Sequence, residues 1–151
     1  MLDAIRRFLA DLADDPQRTP ASEDELQLAA AALLFHVIAV DGVISDGERT
    51  MLKAVLARRF GLESDQVGEL LQAAQSADAE AVDLYAFTSV LKQRLDLKER
   101  ERIVAMMWEL VYADGSVHEL EDNVVWRVSE LLGVSARVRV LLKREASGRV
   151  Q

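Results

Sequence analysis

Two short acidic segments hold the residues whose types and spacing suggest chemistry. In the first, Asp41-Gly42 is followed by Ser45 and Glu48; in the second, Asp114-Gly115 is followed by His118 and Glu121. Each glutamate falls seven residues after its aspartate. Oxygen donors in this density suit a hard divalent cation, since calcium takes about 6–8 oxygens from carboxylates, carbonyls and hydroxyls. Asp41, carbonyls near Val43, the Ser45 hydroxyl and Glu48 would supply several, so calcium is favoured over other ions at the first segment. The ligand series D-x-[DN]-x-[DN]-G is absent, so neither segment is an EF-hand loop. In the second segment His118 stands in place of Ser45, and imidazole suits a transition metal better. The candidate metal set is therefore Asp41, Ser45, Glu48, Asp114, His118 and Glu121. Two readings without metal stay open. Ser45 and Glu48 have the spacing of a capping box, in which side chains and backbone amides of a helix start satisfy one another. Either glutamate could also pair with an arginine or lysine.

These carboxylates matter only if a helix aims them. On a helix, residues three, four and seven apart share a face. Glu48 then shares a stripe with Met51, Leu52 and Val55, and Glu121 shares one with Val124, Val125 and Val128. Asp46 falls with Arg49, Thr50 and Lys53 on the solvated side. One glutamate per segment is thus expected at the edge of the core, where a desolvated charge needs a partner.

The rest of the chain reads as eight helices. The first runs from about Leu2 to Ala13, with Leu2, Ile5, Leu9 and Leu12 on one side, and a linker with Pro16 and Pro20 follows. Ser22 and Glu25 form a capping box for the second, which is apolar on nearly every side from Leu28 to Val40 and therefore expected at the centre of the core. Ser45 opens the third, closed by Gly61 as a left-handed cap. A fourth runs from Ser64 to about Ala77 and a fifth from about Ala79 to Leu95. Asp96 and Glu99 cap the sixth, which ends at Asp114-Gly115. The seventh spans about Glu119 to Leu132, with Gly133 behind it, and Ser135 starts a basic eighth.

Sliding the chain on itself shows an internal repeat. At the 73-residue offset from Asp41 to Asp114, Leu33-Leu34-Phe35 meets Met106-Met107-Trp108, Gly42 meets Gly115, and Glu48 meets Glu121. One residue of slippage brings Phe60-Gly61 onto Leu132-Gly133. Each half is an apolar helix, an Asp-Gly turn and an amphipathic helix opening on a glutamate. Such a hairpin cannot hide its apolar face alone. The expected fold is all-α: a compact bundle of about seven to eight helices built from two pseudo-symmetric hairpin halves. Residues 1–21 form the N-terminal helix and linker, 22–147 the helical domain, and 148–151 a tail.

Composition limits what such a bundle does. The 151 residues include 26 acidic and 18 basic side chains, giving a net charge of −8 that argues against nucleic-acid binding. No cysteine is present, which removes disulfides, thiolate metal sites and cysteine nucleophiles, and suits the cytoplasm. The stretch Met1–Ala13 is too charged for a signal peptide, and Leu28–Val40 is too short to span a bilayer. No phosphate-binding loop, nucleophile elbow or H-E-x-x-H motif appears, so an enzyme is not expected; a metal-dependent hydrolase is the residual catalytic alternative. His36 aligns with Glu109 in the repeat, and the two could meet across the pseudo-twofold axis. Trp108 and Trp126 read as core. At the C-terminus, Arg137, Arg139, Lys143, Arg144 and Arg149 interleave with Val138, Val140, Leu141 and Leu142. In one reading this helix touches anionic lipid or an acidic partner; in the other, Val138, Leu141 and Leu142 pack inward and the arginines pair with the acidic body. A protein partner is expected without being identified, membrane contact is not favoured, and a homodimer stays open.

The segments Ala39-Val40-Asp41-Gly42-Val43-Ile44-Ser45-Asp46-Gly47-Glu48 and Tyr112-Ala113-Asp114-Gly115-Ser116-Val117-His118-Glu119-Leu120-Glu121 resemble the TerB family of tellurite-resistance-like domains. The resemblance covers about Glu25 to Leu142. It implies an all-helical domain with acidic clusters suspected of binding metal, in systems that respond to tellurite and other toxic agents. A similar domain occurs in a membrane-anchored J-domain co-chaperone, which makes an adaptor using the terminal helices the alternative function. By motif match, Asp41, Glu48, Asp114 and Glu121 inherit the suspected metal role, and His118 departs from the family pattern.

Overall fold

A computed structural model describes residues 22–40, 42–81, 83–114 and 119–150. The expected N-terminal helix and its proline linker lie outside these residues. The described residues form seven α-helices and no strand: α1 (Glu23–Ala39), α2 (Asp46–Phe60), α3 (Ser64–Glu80), α4 (Tyr85–Arg94), α5 (Leu97–Val111), α6 (Glu119–Leu131) and α7 (Ala136–Val150). A 3₁₀ turn over Tyr112–Asp114 follows α5.

The helix starts lie where short polar side chains satisfy the first free amides. The Ser22 hydroxyl accepts from the Glu25 amide at 3.2 Å. Asp96 and Glu99 exchange bonds at 2.9 and 3.3 Å at the start of α5. Gly61, with φ of 64°, ends α2 in the left-handed region that glycine enters without cost from a Cβ. Two boundaries differ from expectation: α7 runs on to Val150, into the residues expected as a tail, and the break after the third described helix lies later in the chain. Ala79 and Glu80 belong to α3, and α4 begins only at Tyr85. The cause is local: Ala81 turns to extended backbone, and the Asp83 carboxylate accepts the Tyr85 amide at 2.8 Å.

Helix α1 is the central element. It buries Leu26, an unbroken run from Ala29 to Leu34, Val37 and Ile38, and packs against α2, α3, α4, α5 and α6. Its all-round apolarity is what that position demands. Reciprocal packing follows: α1 lies on α5, α2 on α5, and α6 on α1. Within each half the first helix packs most extensively on the third, α1 on α3 and α5 on α7.

The repeated unit is therefore longer than the hairpin seen in the sequence. Helices α3 and α7 start 72 residues apart, at Ser64 and Ala136, the offset already reached at Gly61 and Gly133. Ala74 and Ala146 are buried at equivalent points, while buried Val67 and Leu71 correspond to Arg139 and Lys143. Those replacements erase the apolar pattern that would have disclosed the third helix. Helix α4 has no counterpart and links the two three-helix units.

Candidate functional site

The first acidic segment begins where α1 stops. The Gly42 amide donates to the Ala39 carbonyl at 3.0 Å, and Gly42 takes a φ of 84°. The chain then passes without regular structure to Ser45, which is extended and caps α2. The Ser45 hydroxyl accepts the Glu48 amide at 3.0 Å, and Glu48 Oε1 accepts the Ser45 amide at 3.0 Å. This is the full capping box. Glu48 is only 6% exposed, since it lies on the stripe that buries Leu52 and Val55. The charge is tolerated there because it faces the free amides and positive dipole end of α2. No basic side chain pairs with Glu48 among the described residues.

The second segment repeats the burial. Glu121 is 1% exposed in the first turn of α6, on the stripe of Val125 and Val128. Beside it in the chain, Asp122 accepts Lys143 Nζ of α7 at 2.7 Å. The same ammonium stands 5.2 Å from the centre of the buried Trp108 ring, a cation–π contact that ties α5, α6 and α7 together.

Of the six expected metal ligands, Ser45 and Glu48 are brought together, by mutual capping. Glu121 belongs to the other half. Asp41 and His118 lie outside the described residues, and Asp114 is described only as the last residue of the 3₁₀ turn. Among the described residues no group of three or more histidines or carboxylates is gathered to hold an ion. In Glu48, Oε1 is engaged by the Ser45 amide; carboxylate oxygens are the donor type that suits a hard ion.

His36 and Glu109 take different partners. His36 Nδ1 is 2.7 Å from Asp78 Oδ1 on α3, and Glu109 accepts Arg58 of α2 at 3.2 Å. The His36–Asp78 pair spans 42 residues and sits in a cleft of about 370 Å³ lined also by Asp83, Leu84, Val124 and Arg127. Nothing local signals this grouping beyond His36 itself, the one polar residue between Leu28 and Val40.

The basic last helix is split between the two readings. Val138 and Leu142 pack against the core and Ala146 is buried, as the inward reading requires. Leu141 does not follow them: it is 53% exposed. Arg137, Val140, Leu141 and Arg144, at spacings of three, four and seven, share the outer face of α7 and are all exposed. Neither Arg137 nor Arg144 forms an ion pair among the described residues. Trp126, expected in the core, is instead 47% exposed on α6, with the Arg139 guanidinium 5.5 Å from its ring centre. It follows Val125 on the far side of the buried stripe, and its repeat partner is Lys53, another exposed position.

No helix of the described residues is long and apolar enough to cross a membrane. Residues 27–144 match the family model described as tellurite resistance protein TerB. No curated protein sequence matches the chain. Among solved structures, a protein of unknown function from Porphyromonas gingivalis has a similar fold. Its TM-score is 0.59 at 20% identity, covering 85% of this chain and 99% of that one.

Proposed function

The chain belongs to the TerB family, and on that premise we propose that it is a non-enzymatic binding module whose outer α7 face engages an acidic protein partner. The reading places it in a bacterial response to tellurite and related chemical stress. The observation that carries it is the face itself. Two aliphatic side chains, Val140 and Leu141, stand in solvent between two arginines without ion-pair partners among the described residues. Residues 136–151 hold five basic side chains and one acidic one, inside a protein of net charge −8. Attraction of Arg137 and Arg144 to an acidic surface would steer a partner's docking on this face. Leu141 would be the apolar anchor and the arginines the charged rim.

The triple variant R137E/L141D/R144E tests this reading. All three side chains are exposed, so its melting temperature should match that of the parent protein. A stoichiometric complex isolated from host extract with the parent should be lost with the variant. Retention of the complex would remove the α7 face from the function. The alternative, contact with an anionic membrane through the same residues, predicts flotation with phosphatidylglycerol vesicles that the variant abolishes.

A second reading adds a divalent cation, calcium first, at the acidic segments. It is supported by the burial of Glu48 and Glu121 at equivalent helix starts. Glu48 Oε2 with Asp41 would form the first site, and Asp114, His118 and Glu121 the second. Binding should raise stability by about 2.7 kcal/mol when calcium exceeds its dissociation constant a hundredfold. The variant D41A/E48A should melt at the same temperature with and without calcium. If the parent protein shows no shift with calcium, magnesium, manganese or zinc, capping alone explains these carboxylates.

A further inference from the structure

The cleft between α1, the end of α3 and α6 contains polar groups that neither reading uses. Asp78 is a carboxylate and can only accept, so His36 Nδ1 is the donor in their 2.7 Å bond. That bond fixes the ring and leaves Nε2 without a hydrogen-bond partner among the described residues. Arg127, exposed on α6, also lacks an ion pair or hydrogen bond among the described residues. Asp83 uses one oxygen to hold the Tyr85 amide. Leu84 and Val124 supply an apolar wall. The volume of about 370 Å³ lies within the roughly 300–1,000 Å³ of small-molecule sites, which combine apolar walls with a few convergent polar groups.

The repeated architecture does not require this pair. At the equivalent positions the second half has Glu109 in place of His36 and Val150 in place of Asp78. His36 of α1 and Asp78 of α3 form this pair in the first half only; in the second, Glu109 pairs instead with Arg58 of α2 and builds no such cleft among the described residues. The lining also carries both signs of charge: a free guanidinium on one side, carboxylates on the other. A ligand with a single charge would satisfy one group and face repulsion from the other.

We propose that this cleft binds a small zwitterion, an α-amino acid with an aliphatic side chain. Its carboxylate takes the Arg127 guanidinium, a charge-assisted and potentially bidentate contact. Its ammonium donates to His36 Nε2 and to the Asp83 carboxylate. Its side chain lies on Leu84 and Val124. Among the described lining residues no side chain is a hydroxyl or thiol.

Calorimetric titration of the full chain with L-leucine, L-valine and L-isoleucine tests the assignment. Two single-charge analogues of leucine, 4-methylpentanoate and 3-methylbutylamine, form the control arm. At least one amino acid should bind, and both analogues should bind about tenfold more weakly or worse, a difference of about 1.4 kcal/mol. R127Q, at an exposed side chain, should keep the parent melting temperature and lose binding by a similar factor. Three results would each overturn the proposal: no heat with any of the three amino acids, equal binding of the carboxylate analogue, or undiminished binding by R127Q.

Discussion

At the start of α2 the helix cap and the candidate ion site share the Glu48 carboxylate. The hydroxyl accepts the Glu48 amide, and the Glu48 carboxylate returns to the Ser45 amide. Removing the hydroxyl by Ser45→Ala should cost about 1 kcal/mol, read as a lower urea midpoint with an unchanged slope. A loss near zero would show that the cap contributes nothing to α2. The burial of Glu48 and Glu121 could be anticipated because the helical period places each on an apolar stripe. The engagement of Glu48 Oε1 was one of three alternatives the spacing left open. The His36–Asp78 bond was out of reach, because no local pattern links residues 42 positions apart. Residue type alone points Trp126 to the core, whereas its neighbour Val125 and its counterpart Lys53 both place it outside.

Helices α5, α6 and α7 are joined by contacts that stripe patterns do not reveal. Arg100 Nη1 of α5 donates to the Leu132 carbonyl at the end of α6 at 2.6 Å. Gly133 follows with φ of 75°, and a Cβ there would sit 3.2 Å from that same nitrogen. Gly133→Ala should therefore cost about 1 kcal/mol or more, through left-handed strain and displacement of Arg100. An unchanged thermal midpoint would contradict this. Most helix boundaries were legible because capping residues are local signals. The gap between α3 and α4 was not, since no glycine or proline falls between Ala77 and Tyr85. That the repeat extends to α3 and α7 is hidden for a different reason: Arg139 and Lys143 stand where the first half has Val67 and Leu71.

Over the whole molecule, the two three-helix units share one core. Helix α1 is covered by α4, α5 and α6 as well as by its own unit. A fragment of residues 22–81 should therefore lack cooperative unfolding, because its most apolar helix would stand half uncovered. A sharp thermal transition in that fragment would mean the units fold independently. The family match and the all-α architecture agree with what the duplicated acidic segments implied. The function is less legible, since an outward face carries no periodic signature that separates a partner's docking site from solvated surface. On the proposed reading, the α7 face is occupied by another protein. Site-specific photocrosslinking in the native host tests it most directly, with a benzophenone amino acid placed at Leu141 and, as control, at exposed Glu69. One discrete protein adduct is expected from position 141, absent at 69 and lost when R137E/R144E is added. Lipid adducts alone, or no adduct at 141, would contradict it.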